Sequence, residues 1–122
     1  MPAGATAVGA RGPLVAYNLW LVEPDVSLAR ELAAELRTPA VRALGLEVGA
    51  RAQVSCNLID PLRVGPAAVF DAVARQAEID RAELVGLVPA AVLAATPARR
   101  WSELDLDMSR TVEARLESAG IR

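Results

Sequence analysis

Histidine and lysine are absent from the 122-residue sequence, and cysteine occurs once. Without histidine, the chain lacks the side chain that most often acts as a general base near neutral pH, and also the commonest metal ligand. A zinc site needs three or four ligands drawn mainly from cysteine and histidine. We therefore predict that the protein holds no metal ion.

The scarcity of cysteine and of long apolar runs bears on where the protein works. The single cysteine, Cys56, excludes an intrachain disulfide, and the first residues do not form a signal-peptide pattern. Both features are typical of a protein of the reducing cytoplasm. No apolar run approaches the roughly 20 residues that span a bilayer, and residues 13–22 are interrupted by Asn18. We predict a cytoplasmic protein with no membrane partner.

A large excess of charge of either sign is also missing. All 13 basic residues are arginines, they are interleaved with 15 acidic residues, and the net charge is −2. Nucleic acid is therefore not an expected partner, because binding it requires clustered positive charge. Aromatic residues make up only 3% of the chain, but apolar residues of all kinds make up 53%. This is enough for an aliphatic core, and residues 1–122 have the size of a single domain.

Along the chain, the apolar pattern alternates between the period of a strand and that of a helix. It predicts strands over residues 14–21, 41–48, 52–59 and 83–88, and helices over residues 25–36 and from Gly65-Pro66 onward. A helical turn after Pro89 and a weaker amphipathic helix over residues 108–116 follow. The element order is βαββαβ with a C-terminal helical tail. It predicts an α+β, ferredoxin-like sandwich with both crossover helices on one face of an antiparallel sheet.

This topology places the first and third strands side by side in the sheet. Alternation then puts Asn18 beside Gln53, Ser55 and Asn57 on the face without crossover helices. Such a row of amide and hydroxyl groups faces water, a ligand or another protein surface. A solvated face and a binding face are both open on the pattern alone. The absence of charge from the row, and the presence of Trp20 on the same face, favour a binding face.

Several segments in this order resemble one family. GATAVGAR, LVAYN, VRALGLEV, AQVSCNLID and ELVGLVP are similar to the C-terminal subdomain of glutamate formiminotransferases, and the resemblance covers nearly the whole chain. It implies two apposed ferredoxin-like subdomains with a folate-binding cleft between them. The implied reaction, a step of histidine degradation, transfers a formimino group from N-formimino-L-glutamate to tetrahydrofolate. Tetrahydrofolate is thus the implied cofactor, and folate and formiminoglutamate are the implied small-molecule partners.

The resemblance also implies site residues. Arg11 matches the arginine of the family's GAR motif, and its guanidinium is suited to grip a carboxylate. Asn18 matches the first asparagine of an Asn-x-Asn motif, and the other matching positions are Gln53, Ser55, Asn57 and Glu83. For Arg11 the alternative is a surface arginine that caps a loop. For the sheet residues the alternative is hydrogen bonding within the sheet.

Two departures from the family bear on activity. Trp20 stands where the family has the second asparagine, which removes a hydrogen-bonding group or offers a surface for stacking a pterin. The family's catalytic histidine lies in an N-terminal subdomain that has no counterpart in these 122 residues, so no catalytic residue is predicted here. The chain is expected to work with a separate N-terminal half, unless the reading frame is longer. Alternatives are a non-catalytic folate-binding or self-associating module, such as a homodimer, and a decayed gene product.

Overall fold

Residues 14–120 are described by the structure, a computed structural model. Four strands and four α-helices follow the order β1 (Val15–Leu21), α1 (Val26–Leu36), β2 (Val41–Val48), β3 (Arg51–Leu58), α2 (Pro66–Ala74), β4 (Ile79–Val85), α3 (Ala90–Ala94) and α4 (Val112–Ser118). Two short 3-10 helices, Ala98–Arg100 and Met108–Arg110, lie between α3 and α4. Within residues 14–120, no helix is long and apolar enough to cross a membrane.

The strands form one sheet in the order β2-β3-β1-β4, and every neighbouring pair is antiparallel. β1 and β3 are therefore the central strands. This is the strand order of a ferredoxin-like βαββαβ unit, and the predicted fold class is confirmed. The predicted β2–β3 hairpin is also present, with Gly49 at its turn in the left-handed region at φ +62°.

Alternation along the strands separates the two faces of the sheet. On β1 the residues Val15, Tyr17, Leu19 and Leu21 are buried, whereas the residues between them are only partly buried. The buried residues of α1 and α2 belong to the same core cluster as this face. The core thus lies between one face of the sheet and the two crossover helices, and the opposite face carries the candidate site.

Gly45 of β2 is the point of closest approach between the sheet and α1. A Cβ atom added to Gly45 would lie 2.3 Å from the backbone nitrogen of Arg30 and 2.5 Å from the carbonyl carbon of Ala29. Real Cβ atoms do not approach backbone atoms so closely, so only glycine permits this crossing. Asp25 begins α1 as its N-cap, and its Oδ1 accepts a 3.0 Å hydrogen bond from the Leu28 amide.

The fourth strand differs from its predicted bounds. It spans Ile79–Val85 rather than residues 83–88, because Gly86 turns the chain at φ +90°. Val88 instead exchanges backbone hydrogen bonds with the C-terminal segment through Arg110 and Val112. The beginning of β4 was missed because charged residues and an irregularity opposite Trp20 and Leu21 interrupt its alternation.

The C-terminal tail also differs from a single helix over residues 108–116. Met108–Arg110 is a 3-10 turn, and α4 begins only at Val112, with Thr111 Oγ1 accepting a 3.0 Å hydrogen bond from the Ala114 amide. Thr111 as N-cap explains why the helix starts late. Before the 3-10 turn, the tail contacts the core at Leu104, whose carbonyl accepts a 2.7 Å hydrogen bond from the Tyr17 hydroxyl.

Side chains of this tail bind the outer edge of β4 at one residue, Leu84. Asp105 Oδ2 accepts a 2.8 Å hydrogen bond from the Leu84 amide, and Arg110 donates to the Leu84 carbonyl. Asp105 holds a left-handed backbone conformation at φ +59°, which few residues other than glycine adopt. We call this pair the Asp105–Arg110 clamp, since together they satisfy both backbone groups of one edge residue.

Candidate ligand-binding face of the sheet

The face of the sheet opposite α1 and α2 is called the open face. It is formed by Ala16, Asn18 and Trp20 of β1, by Arg51, Gln53, Ser55 and Asn57 of β3, by Arg42, Leu44, Leu46 and Val48 of β2, and by Arg81, Glu83 and Val85 of β4. The strand register pairs Asn18 with Ser55 and Ala16 with Asn57. The predicted adjacency of these side chains is therefore present.

One row of side chains crosses the whole open face. Leu44 pairs with Ser55, Ser55 with Asn18, and Asn18 with Glu83, so all four strands contribute one residue. Glu83, predicted only from its motif, is thus a direct neighbour of Asn18. The register brings four of the six predicted site residues, Asn18, Ser55, Asn57 and Glu83, into two adjacent rows.

Glu83 joins two side chains of β1 through a single oxygen. Its Oε1 accepts hydrogen bonds from Asn18 Nδ2 at 3.3 Å and from Trp20 Nε1 at 3.0 Å. A carboxylate accepts hydrogen bonds but does not donate them, so the amide of Asn18 must turn its NH₂ group toward Glu83. Its carbonyl oxygen is then directed away from Glu83, and Asn18 presents a hydrogen-bond acceptor.

Two arginine side chains lie close to the ring of Trp20. The guanidinium groups of Arg51 and Arg81, from the strands on either side of β1, lie 5.5 Å and 5.0 Å from the centre of its ring. Both distances are within the range of cation–π attraction. Arg51 also forms an exposed 2.7 Å ion pair with Asp80. A pterin stacked on Trp20 would have to compete with these two guanidinium groups.

Burial distinguishes the predicted site residues from one another. Asn57 is exposed and Ser55 is half-buried, so a ligand can reach both. Gln53 retains only 5% of its accessible surface, although it lies on the open face. Gln53 pairs with Trp20 across the strands and with Leu46 on its other side. Within residues 14–120, Gln53 is therefore the predicted site residue with the least room for direct contact.

The charge of the open face was not apparent from the four polar residues predicted on its central strands. Asn18, Gln53, Ser55 and Asn57 are uncharged, but the edge strands and the start of β3 add Glu83, Arg42, Arg51 and Arg81 around them. The open face is therefore a mixed surface with an uncharged centre, and the absence of charge noted in the sequence applies only to those four residues. The pattern missed this because it compared β1 with β3 alone.

A groove of about 470 Å³ opens at the β2 side of the open face. Ser55 and Asn57 line its inner side, and Arg37, Arg42 and Leu44 are among the residues on its outer side. Arg37 follows α1, and its Nε donates a 2.9 Å hydrogen bond to the Ala43 carbonyl. The two arginines were not predicted as site residues, because the sequence pattern places Arg37 on the polar side of α1 and does not reveal which arginines share a groove.

Two further predictions, for Arg11 and for metal binding, do not concern the open face. Arg11 lies outside the described residues, and its role at a carboxylate stays a prediction. Residues 14–120 contain no group of three or more cysteine, aspartate or glutamate side chains positioned to hold a metal ion. The only cysteine is buried, and burial raises the pKa of the Cys56 thiol to about 12. The thiol is therefore neutral near pH 7 and poorly suited to act as a nucleophile.

The fold and the open face together define an α+β domain of the ferredoxin-like type with a polar face turned away from its helices. No family model matches the chain. A glutamate formimidoyltransferase of Streptococcus pyogenes serotype M1 is 32% identical to it over 103 aligned positions, and the match covers 75% of this chain and 34% of that protein. The resemblance to glutamate formiminotransferases is therefore confirmed. The chain spans about a third of the length of this curated relative.

Proposed function

We propose that the chain is a ligand-binding subdomain of a glutamate formiminotransferase. It binds tetrahydrofolate and N-formimino-L-glutamate on the open face and acts with a separate, histidine-bearing N-terminal half in the cytoplasm. The observation that carries this proposal is the alignment of Asn18, Ser55 and Asn57 on the two central strands, with Glu83 beside them. The similarity to a protein named glutamate formimidoyltransferase, of which the chain covers 34%, supports the proposal.

Formimino transfer moves a carbon–nitrogen group between two nitrogen atoms. The folate nitrogen attacks the formimino carbon, the bond to the glutamate nitrogen breaks, and a proton must pass from the attacking nitrogen to the leaving one. This chain has no histidine to carry that proton. Its contribution is to bind and orient, with the acceptor oxygen of Asn18 and the polar groups of Ser55 and Asn57 holding N–H and C=O groups of the ligands. The proton-transferring group belongs to the other half.

Binding is testable by isothermal titration of the purified chain with folinic acid, a stable tetrahydrofolate derivative. We expect Asn57→Ala and Ser55→Ala each to weaken binding about tenfold, because each removes one hydrogen-bonding side chain. Gln76→Ala is the matched control, since Gln76 lies on the helix side of the sheet, where it donates to Glu35. Absence of folinic acid binding to the unaltered chain would remove the folate proposal.

The division into two halves has its own test. We expect the DNA in or next to this reading frame to encode a histidine-bearing segment similar to the remainder of the relative. Mixing that segment with this chain is expected to produce formimino transfer, followed by the absorbance of the folate product. Unrelated flanking genes, or a mixture without activity, would count against a half-enzyme.

A second candidate function is a non-catalytic module that associates with itself. The exposed apolar side chains on the β2 part of the open face favour it: Leu44, Leu46 and Val48 are 57%, 36% and 40% exposed. Their contiguity on one edge strand is unusual for a surface without a partner. Light scattering after size-exclusion chromatography tests this alternative, and a monomer at millimolar concentration would exclude it.

A further inference from the structure

We infer that the groove beside β2 is an anion subsite, which binds a carboxylate carried on an apolar or aromatic body. If the ligand is a folate, an assignment that rests on the proposed function, its p-aminobenzoyl-glutamate end lies in the groove. The groove is defined by its own lining residues, and the motif resemblance did not indicate it.

The first reason is the charge of the lining. Within the part of the chain that the structure describes, the groove is lined by two arginines, Arg37 and Arg42, and by no acidic residue. Among residues 14–120, the ion pairs involve Arg51, Arg100 and Arg110, and neither Arg37 nor Arg42 takes part in one. Two guanidinium groups without a carboxylate partner favour an anionic ligand.

The second reason is the orientation of Arg37. Its Nε is held by the Ala43 carbonyl at 2.9 Å, which fixes the plane of the guanidinium group against the edge of β2. The two terminal nitrogens remain as donors, and they have the spacing that suits the two oxygens of a carboxylate. Fixing the arginine before the ligand arrives lowers the entropy cost of binding.

The third reason is the apolar part of the lining. Leu44, which is 57% exposed, contributes most of the accessible hydrocarbon surface of the groove, and the buried Val41 and Ala43 lie beneath it. A small, fully hydrated anion would leave this surface unused, whereas an aryl or alkyl body beside the carboxylate would cover it. The volume of about 470 Å³ is also in the usual range for organic ligands.

The groove is continuous with the polar row. Arg42 pairs with Asn57 and Leu44 with Ser55, and Ser55 in turn pairs with Asn18. Two strand spacings, roughly 10 Å, separate β1 from β2. An elongated ligand can therefore place a nitrogen-rich head over Asn18, its aromatic body over Leu44 and its carboxylates beside the arginines. A folate has these three parts in this order.

The test uses p-aminobenzoyl-L-glutamate and its uncharged dimethyl ester, titrated calorimetrically into the full chain. We expect the diacid to bind at least about tenfold more tightly than the ester, because only the diacid has a charged partner for the arginines. Arg42→Gln is expected to weaken diacid binding about tenfold and to leave ester binding unchanged. Arg99→Gln is the matched control, since Arg99 is exposed and does not line the groove.

Arg37→Gln provides a second variant, with the melting temperature measured alongside because Arg37 also binds the backbone of β2. Equal affinities for diacid and ester, no effect of Arg42→Gln, or no diacid binding at millimolar concentration would each overturn the subsite. The proposed function fails separately. If the diacid binds through Arg42 but folinic acid does not bind, the anion subsite stands and its folate assignment falls.

Discussion

The indole nitrogen of Trp20 donates a 3.0 Å hydrogen bond to Oε1 of Glu83, on the neighbouring strand of the open face. The same oxygen receives Asn18 Nδ2. Glu83 therefore orients the side chains of Asn18 and Trp20 on β1. Trp20 is thus part of an ordered network, and its N–H group is already engaged.

Glu83→Ala is expected to weaken folinic acid binding and to lower the free energy of unfolding by about 1–2 kcal/mol, because both donors lose their acceptor. Glu83→Gln is the matched control. Its Oε1 still accepts both hydrogen bonds, so we expect a smaller effect on both quantities. Calorimetric titration and urea unfolding measure them. Equal behaviour of the alanine and glutamine variants would show that the shared oxygen does not orient Asn18.

Gly45→Ala is expected to destabilise the fold by about 3–4 kcal/mol, because the new methyl group would meet the backbone of α1 at Arg30 and Ala29. Gly49→Ala is the control. It introduces the strain of a positive φ but meets no atom within 4 Å, so a cost of about 1–2 kcal/mol is expected. Urea unfolding of both variants measures the difference. A Gly49 variant less stable than the Gly45 variant would contradict the close crossing.

Tyr17→Phe removes the hydroxyl that reaches the Leu104 carbonyl while keeping the buried ring. We expect a loss of about 1–3 kcal/mol, because a buried carbonyl is left without its donor. The effect should be concentrated in the C-terminal tail, where amide hydrogen exchange around Leu104 and Leu106 is expected to accelerate. Uniform acceleration across β1 and β3 would instead indicate a general loss of packing.

Stability is expected to fall in alkaline solution. Burial raises the pKa of Cys56 from 9.0 to about 12, so above pH 9 the unfolded chain releases a proton that the folded chain retains. The thiol's contribution is complete below pH 9 and is lost between pH 9 and about 12, at up to about 1.4 kcal/mol per pH unit. Burial, helped by the charge of Asp105, also raises the pKa of Tyr17 above its ordinary 10.0, which adds a further loss above pH 10.

Cys56→Ala separates the two groups. Between pH 9 and 10 the free energy of unfolding of the variant is expected to decline much less than that of the unaltered chain, because only Tyr17 still contributes to the slope. Urea titrations at intervals of half a pH unit measure this slope, which does not depend on the constant cost of the smaller side chain. An unchanged slope in the variant would exclude the thiol as its source.

The parts of the fold that were predictable are the strands in which apolar and polar residues alternate regularly over many positions. β1 and β3 alternate over seven and eight residues, and this was enough to place Asn18 beside Ser55 and Asn57. β4 was not placed correctly, because Asp80 and Arg81 interrupt its alternation and Gly86 ends it early. Local pattern does not reveal contacts that depend on how distant segments meet.

The same limit applies to the site. Motif resemblance predicted Glu83 as a site residue, but the sharing of its Oε1 between Asn18 and Trp20 depends on the register between β1 and β4. The burial of Gln53 depends on the side chains around it, and the meeting of Arg37 with Arg42 depends on how the chain leaves α1 and enters β2. These relationships arise from tertiary packing, for which a single sequence has no periodic signal.

The Asp105–Arg110 clamp has a consequence for assembly. A sheet that assembles edge to edge into a fibre needs two free edges, because each copy must pair with a neighbour on both sides. Within residues 14–120, side chains of the same molecule occupy the backbone groups of Leu84 on one of the two edges. A copy that pairs with β4 would have to displace both side chains at Leu84, a cost that pairing at the β2 edge does not carry. The clamp therefore disfavours the two-edge growth that a fibre requires.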